Sequence, residues 1–264
     1  MSPERSYNGI SAIDLKQFLE DKHLQYNSPS FIASDPISIP HSFTSLHDRE
    51  VSGFLAAAIS WGRRDLILRS SRILLEMMDN KPYEFVMSAT DSDMSRVAGF
   101  VHRTFNGRDC IAFMRGLKQV YSSFGSMEDA VLEGMKEERS LIKGLANLRK
   151  VFFSFDHEHH AEKHFADIMS GSAGKKLFMF LRWMVRKDNR GVDFGIWDRI
   201  KPSELYIPLD IHSGNTARKL GILKRKMNDW KAVEELTEAL REFDPVDPVK
   251  YDFALFGLGV NERF

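Results

Sequence analysis

The sequence predicts an all-α fold, and three observations carry that reading. Apolar residues recur at helical spacing along most of the 264 residues, strand-like alternation is nearly absent, and no heptad persists long enough to make a coiled coil. No internal repeat or low-complexity stretch breaks the pattern. An irregular array of helices around a substantial core is expected, since a chain of this size can bury one large domain or two modest ones.

The elements follow in order. Residues 13–26 read as an amphipathic helix with Leu15, Phe18 and Leu19 on one face. Ser28-Pro29-Ser30, Asp35-Pro36 and Ile39-Pro40-His41 then mark a loop. Asp48 is a candidate N-cap for a helix whose body, Gly53 to Trp61, is apolar on most sides and so buried. Gly62 interrupts it. Asp65 is a candidate cap for the next helix, with Leu66, Ile67, Ile73, Leu74, Met77 and Met78 together. Further helices are expected at 83–89, 109–124, 126–137, 139–150, 157–167, 174–187, 212–220, 229–242 and 248–258. Residues 188–209, with Gly191, Gly195 and Pro202, read as irregular, and Phe194 and Trp197 should pack that segment down.

Composition narrows the function classes. Hydrophobic residues at 43% and charged residues at 28% describe a globular chain rather than a disordered one. The formal net charge is +0, so a polyanion would have to be held by a local patch. Cys110 is the single cysteine, which excludes disulfides within the chain and any four-cysteine cluster. Met1 to Gly9 is polar, without the apolar segment of a signal peptide, and no apolar run approaches membrane-spanning length. A soluble, cytoplasmic protein with no membrane partner is expected.

Two linked contexts carry chemistry. Gly171-Ser172-Ala173-Gly174-Lys175 is a small-residue turn that delivers a lysine to a helix entrance. The positive end of the helix dipole favours the neutral, nucleophilic amine there. Pro208-Leu209-Asp210-Ile211-His212 places a carboxylate just ahead of another helix. An amine and a carboxylate of this kind can form a Schiff base with a sugar or carbonyl carbon. Each residue also has a plainer reading: Lys175 as a solvated lysine beside Lys176, and Asp210 as the N-cap of the helix near His212.

Read in order, these segments resemble the helix-hairpin-helix DNA glycosylase superfamily. Ile59-Ser60-Trp61-Gly62-Arg63-Arg64-Asp65 is similar to its early leucine-serine-alanine-glutamine turn, where residues enter the DNA stack or line the base pocket. Val97-Ala98-Gly99-Phe100, leading to the helix that ends near Tyr121, resembles the next glycine-then-helix segment. Gly171 to Lys175 is similar to the hairpin turn glycine-hydrophobic-glycine-any-lysine, and Pro208 to His212 to the valine-aspartate-any-histidine element. Ala217 to Gly221 and Phe253 to Gly259 resemble the closing helices. The likeness covers most of residues 50–260, and the chain looks most like an uncharacterised bacterial family at a distance from the superfamily.

The resemblance implies an N-terminal extension over 1–45, then a helical unit over 46–264 with two subdomains and a cleft containing the hairpin turn. It implies base-excision repair of double-stranded DNA carrying a damaged base. Lys175 would attack the anomeric carbon, expel the base and leave an imine that can break the strand, with Asp210 as the catalytic carboxylate. If the register shifts by one residue, Lys176 inherits the role. No cofactor and no metal are expected, and no iron–sulfur motif follows the last helix. This sequence departs from the pattern at Ser172 and Ala173, which replace the hydrophobic residue and the second glycine. The Lys175–Asp210 spacing is also longer than in common members, nearer to that of archaeal 8-oxoguanine glycosylases.

Further residues follow from this frame. Amides of Gly171, Ser172, Ala173 and Gly174 would bind a phosphate at the helix N-terminus. Lys175, Lys176, Arg182, Arg186, Lys187 and Arg190, opposed only by Asp188, would hold the next phosphates, unless they form a solvated helix face. The acidic segment Glu234, Glu235, Glu238, Glu242, Asp244 and Asp247 is expected to face elsewhere. Trp61, Gly62, Arg63, Arg64 and His212 are candidates for the base pocket or wedge, with Trp61 as core and the arginines as surface in the plainer reading. Phe178, Phe180 and Trp183 read as core.

Two other function classes stay open. One is a catalytically inactive module that binds nucleic acid or protein, consistent with the neutral charge and the altered hairpin. The other is a metal-dependent hydrolase at Asp156-His157-Glu158-His159-His160 and His164. His160 and His164, four apart, would share one face of a helix. The run is not HExxH, because Ala161 stands at the fifth position, and a polar histidine-rich linker is the plainer reading.

Overall fold

A computed structural model describes residues 6–264 of the chain. It is predominantly helical, as the apolar spacing requires. Residues 1–5 of the expected N-terminal extension lie outside the described residues. Contacts divide the chain into two compact units, one of residues 1–31 with 170–264 and the other of residues 32–169.

The first unit opens with a small hairpin, β1 (Ser6–Tyr7) and β2 (Ile10–Ser11), turned by Asn8 and Gly9 in left-handed conformations. Ser11 caps α1 (Ala12–Tyr26) by accepting from the Asp14 amide at 3.1 Å. Helix α2 (Pro29–Ile32) falls at the junction of the units. Helix α11 (Lys175–Val185) is the unit's core element: every residue from Leu177 to Val185 is buried, as a run apolar on nearly all sides demands. Packed with it in the same unit are α12 (Ile211–Lys219), α13 (Trp230–Phe243) and α14 (Tyr251–Asn261). The amphipathic spacing of α13 buries Val233, Leu236, Leu240 and Phe243. The 188–209 segment is irregular apart from a 3-10 turn at Pro202–Glu204. It packs down on α11, with Trp197 edge-on to Phe180 at 5.6 Å and the Phe194 and Trp197 amides donating to carbonyls of Trp183 and Met184.

The second unit holds α3 (Ser38–His41), α4 (Leu46–Ala58), α5 (Arg64–Met77), α6 (Pro82–Ser88) and α7 (Asp91–Val97). A two-residue hairpin, β3 (Val101–His102) and β4 (Phe105–Asn106), precedes α8 (Gly107–Phe124), α9 (Met127–Gly134) and α10 (Leu141–Phe152). Its core is aromatic: Phe113 meets Phe105 at 5.2 Å and Phe152 at 5.1 Å, while Phe165 meets Phe54 at 5.2 Å and Phe152 at 5.1 Å. These edge-on contacts each add roughly 0.5–1.5 kcal/mol to the burial of the rings.

Several local expectations change. Ser45, not Asp48, caps α4, and Asp48 instead accepts from the Tyr83 amide at 3.1 Å. Helix α5 begins at Arg64 with Asp65 already in its first turn, paired to Arg63 at 2.7 Å, so Asp65 is not the cap. The helix expected at 157–167 is a short 3-10 turn, His159–His164. The stretch expected as one helix at 248–258 is a 3-10 turn, Pro248–Lys250, followed by α14. No helix among the described residues is long and apolar enough to cross a membrane.

Candidate functional site

The turn before α11 is built on two glycines. Gly171 has φ +92° and Gly174, the residue preceding the helix, has φ +56°, both in the region that L side chains avoid. Ala173 is not among the positive-φ residues, so the alanine in place of the hairpin glycine carries no backbone strain. The Ser172 hydroxyl accepts from the Gly174 amide at 3.3 Å. Trp230, at the start of α13, donates its amide to the Gly171 carbonyl at 3.1 Å, and its ring stacks on Phe178 at 5.9 Å. The first turn of α11 is therefore braced by a separate helix.

Lys175 is half-buried, and its one hydrogen-bonding contact among the described residues is a long 3.6 Å approach to Met179 Sδ. No carboxylate among the described residues holds its ammonium. Burial, reinforced by the charge of Lys175, lowers the Lys176 ammonium to about 8. Of the two lysines, Lys176 is the one the surroundings push toward the neutral amine.

Asp210 caps α12, with one carboxylate oxygen accepting from the Ser213 amide at 2.8 Å. Its other oxygen takes no hydrogen bond from the described residues. Asn228 fastens the Asp210 carbonyl at 2.9 Å and in turn accepts from Arg218 at 2.5 Å. His212 lies two residues on, exposed, with its ring edge-on to Phe256 at 6.4 Å.

A second carboxylate belongs to this group, and the sequence reading missed it. Asp252, in the first turn of α14, is buried and receives Arg182 Nη1 at 2.5 Å. Burial pushes its carboxyl up to about 6 despite the Arg182 charge, with Asp210 adding to the rise and Lys175 opposing it. Asp252 thus feels both residues singled out from sequence. The signal for it was slight: one acid in the apolar run Tyr251-Asp252-Phe253-Ala254-Leu255, an expensive place for a charge without a partner.

Two guanidiniums of the expected phosphate-binding patch are engaged by carboxylates. Arg182 is 3% exposed and held by Asp252 and by Asp193 at 3.3 Å, with its guanidinium 4.2 Å from the Phe253 ring centre. Arg186 is 2% exposed and bonds Asp188 at 2.6 Å, Asp193 at 3.1 Å and Asp247 at 2.8 Å. Neither guanidinium is available to a phosphate in this arrangement. Arg190 donates to backbone carbonyls of Asn27 and Leu24. Asp247, expected to face elsewhere, is one of the partners of Arg186.

In the second unit, the break between α4 and α5 carries Trp61, Gly62, Arg63 and Arg64. Trp61 is half-buried; its ring stacks on His164 at 5.4 Å and lies edge-on to His102 at 5.2 Å. Gly62 has φ +101°, with the Arg103 side chain beside it. Arg63 is exposed and paired to Asp65, while Arg64 is half-buried in the first turn of α5. Asp109, His160 and His164 gather beside Trp61, with candidate ligand atoms all within 4.8 Å of one another. Cys110 is buried, and burial pushes its thiol far up, away from reactivity.

Residues 35–261 match the family described as "Protein of unknown function (DUF2400)". The chain belongs to this family. The DUF2400 match takes in the α4–α5 break, the Gly171–Gly174 turn, Lys175, Asp210 and Asp252, and leaves α1 outside it. No curated protein and no solved structure matches the chain significantly.

Proposed function

We propose that the protein is a DNA base-excision glycosylase of the helix-hairpin-helix kind, with lyase capability, acting on duplex DNA that carries a damaged base. The observation that carries this reading is Lys175, at the entrance of a helix with no carboxylate bonded to it among the described residues, and grouped by charge with Asp210 and Asp252. A free amine can attack the anomeric carbon as the C–N bond to the base breaks. The departing base takes one amine proton; the sugar ring then opens at the C1′–O4′ bond, the ring oxygen takes the other proton, and the nitrogen lone pair closes the imine double bond. Asp210 stabilises the positive charge that develops on the sugar, through the oxygen not used in capping α12. Amides of the 171–174 turn, ahead of an eleven-residue helix, suit one phosphate of the backbone.

Borohydride trapping on duplexes carrying an abasic site or 8-oxoguanine tests the reading. The parent should form a covalent complex and Lys175→Gln should not, with unchanged folding by circular dichroism. Trapping that survives in Lys175→Gln and vanishes in Lys176→Gln would move the nucleophile one residue. Trapping that survives in both would rule out this mechanism.

The burial of Arg182 and Arg186 favours a second reading, a non-catalytic module on the same fold, because it removes two cations from the DNA-facing surface. Salt-sensitive duplex binding without trapping or base release is the outcome that this reading expects.

A further inference from the structure

The segment His157–His164 and the start of α8 meet in the second unit around the carboxylate of Asp109. Asp109 is 1% exposed, and one of its oxygens accepts from the Asn106 amide at 2.9 Å in a capping box. The other oxygen meets His160 Nδ1 at 2.7 Å, while His164 Nε2 stands 3.4 Å from the capping oxygen. We propose that Asp109, His160 and His164 form a site for one divalent ion of the zinc class, bound through the Asp109 carboxylate, His160 Nδ1 and His164 Nε2.

The geometry favours a metal over a simple hydrogen-bonded cluster. Ligands about 2.0–2.1 Å from a tetrahedral zinc lie about 3.3–3.4 Å apart. The His164–Asp109 separation of 3.4 Å already has that value. The His160 contact, made to the other Asp109 oxygen at 2.7 Å, is shorter than that value by about 0.6–0.7 Å, so the ring draws back as the ion enters. His164 is set in place before any ion arrives: it is 5% exposed, stacked on Trp61 at 5.4 Å and edge-on to Phe105 at 4.9 Å. A ring held in this way loses little freedom on ligation. Two imidazoles and a carboxylate suit zinc, and three protein ligands leave a fourth position for water.

The neighbouring group of His157, His159 and Glu162 is the weaker candidate. The Glu162 carboxylate is held by Arg149 at 2.7 Å as well as by His159 at 2.7 Å, so a cation already occupies it. Near the proposed site the competing cation is Lys163, whose ammonium donates to His160 Nε2 at 2.6 Å. That contact leaves the His160 proton on Nδ1, where it points to Asp109. Binding the ion moves this proton to Nε2 and displaces Lys163, which is exposed and free to swing away.

The test uses the full chain, stripped with a chelator and titrated with zinc chloride or cobalt chloride. One equivalent of zinc should bind with a Kd on the order of micromolar or below, and cobalt should give the visible bands of a tetrahedral site. His160→Ala, at the exposed ligand, should weaken binding about tenfold or more. Lys163→Gln should tighten it, and a His157→Ala, His159→Ala double variant should bind as the parent does. Absence of saturable zinc binding and cobalt bands in the parent would overturn the proposal, a readout that does not depend on any variant folding. Unchanged affinity in His160→Ala, or lost affinity in the double variant, would overturn it too. None of these outcomes bears on the Lys175 chemistry.

Discussion

The two ends of α11 treat the same kind of side chain in opposite ways. Lys175 and Lys176 open the helix, and Arg182 and Arg186 close it. At the closing end each guanidinium is buried and saturated, with Asp188, Asp193, Asp247 and Asp252 around the pair. At the opening end Lys175 has no carboxylate partner among the described residues and lies against a thioether. Arginine suits the first environment, because its planar fork satisfies several carboxylates and it stays charged when buried. Lysine suits the second, because its compact ammonium sits on a flexible stem and is not locked into a fork of carboxylate partners. The difference separates structural charge from charge available for chemistry, on one helix.

The largest expected effect breaks the closing end. Arg182→Met should cost about 3–5 kcal/mol at pH 7, because it leaves buried carboxylates unpaired. Asp252 sharpens this test through its pH dependence. Its carboxyl sits at about 6 in the folded chain against a usual 3.8, so between these values the native state holds the extra proton. Its contribution to stability is therefore greatest below 3.8 and is lost as pH rises through about 6. Denaturant unfolding should show a smaller Arg182→Met loss at pH 5 than at pH 7, and equal losses would separate Asp252 from Arg182.

The turn that presents the lysines gives the next effect. Gly174→Ala forces a side chain into φ +56° and should destabilise by about 1–2 kcal/mol. Ala173→Gly should cost less, about 0.5–1 kcal/mol, through backbone entropy alone. A reversed order of the two melting temperatures would mean that the left-handed position is misassigned.

The lysines themselves give the smallest changes in stability. The Lys176 ammonium is lowered to about 8 from the usual 10.5, so the unfolded chain binds more protons between these values. Stability should rise with pH from about 8 to about 10.5, and Lys176→Met should abolish that rise while stabilising the protein at pH 7. Lys175→Gln should change stability by no more than about 0.5 kcal/mol while removing imine trapping. A large loss of stability in that variant would place Lys175 with the structural cations.

The helices were legible because their signals are local. Apolar spacing located α1, α6, α8, α10, α12 and α13 to within about two residues. The 157–167 helix was misread because its polar groups bond elsewhere, His157 to the Phe155 carbonyl and His160 to Asp109. Hairpin β3–β4 was missed because Arg103, left-handed at φ +56°, gives none of the usual turn signals. In the candidate site, the glycine turn and the capping role of Asp210 could be read from neighbouring residues. Asp252 could not.

The sequence by itself determined the helical fold, the turn that delivers Lys175 and the cap that positions Asp210, since each depends on residues within a few positions of one another. Tertiary structure decided which charges are free. Arg182 meets Asp252 across seventy positions, Arg186 meets Asp247 across 61, and His160 meets Asp109 across 51. A one-dimensional pattern gives a side chain's charge but not its partner, and in a low-dielectric interior the partner decides whether that charge is structural or reactive.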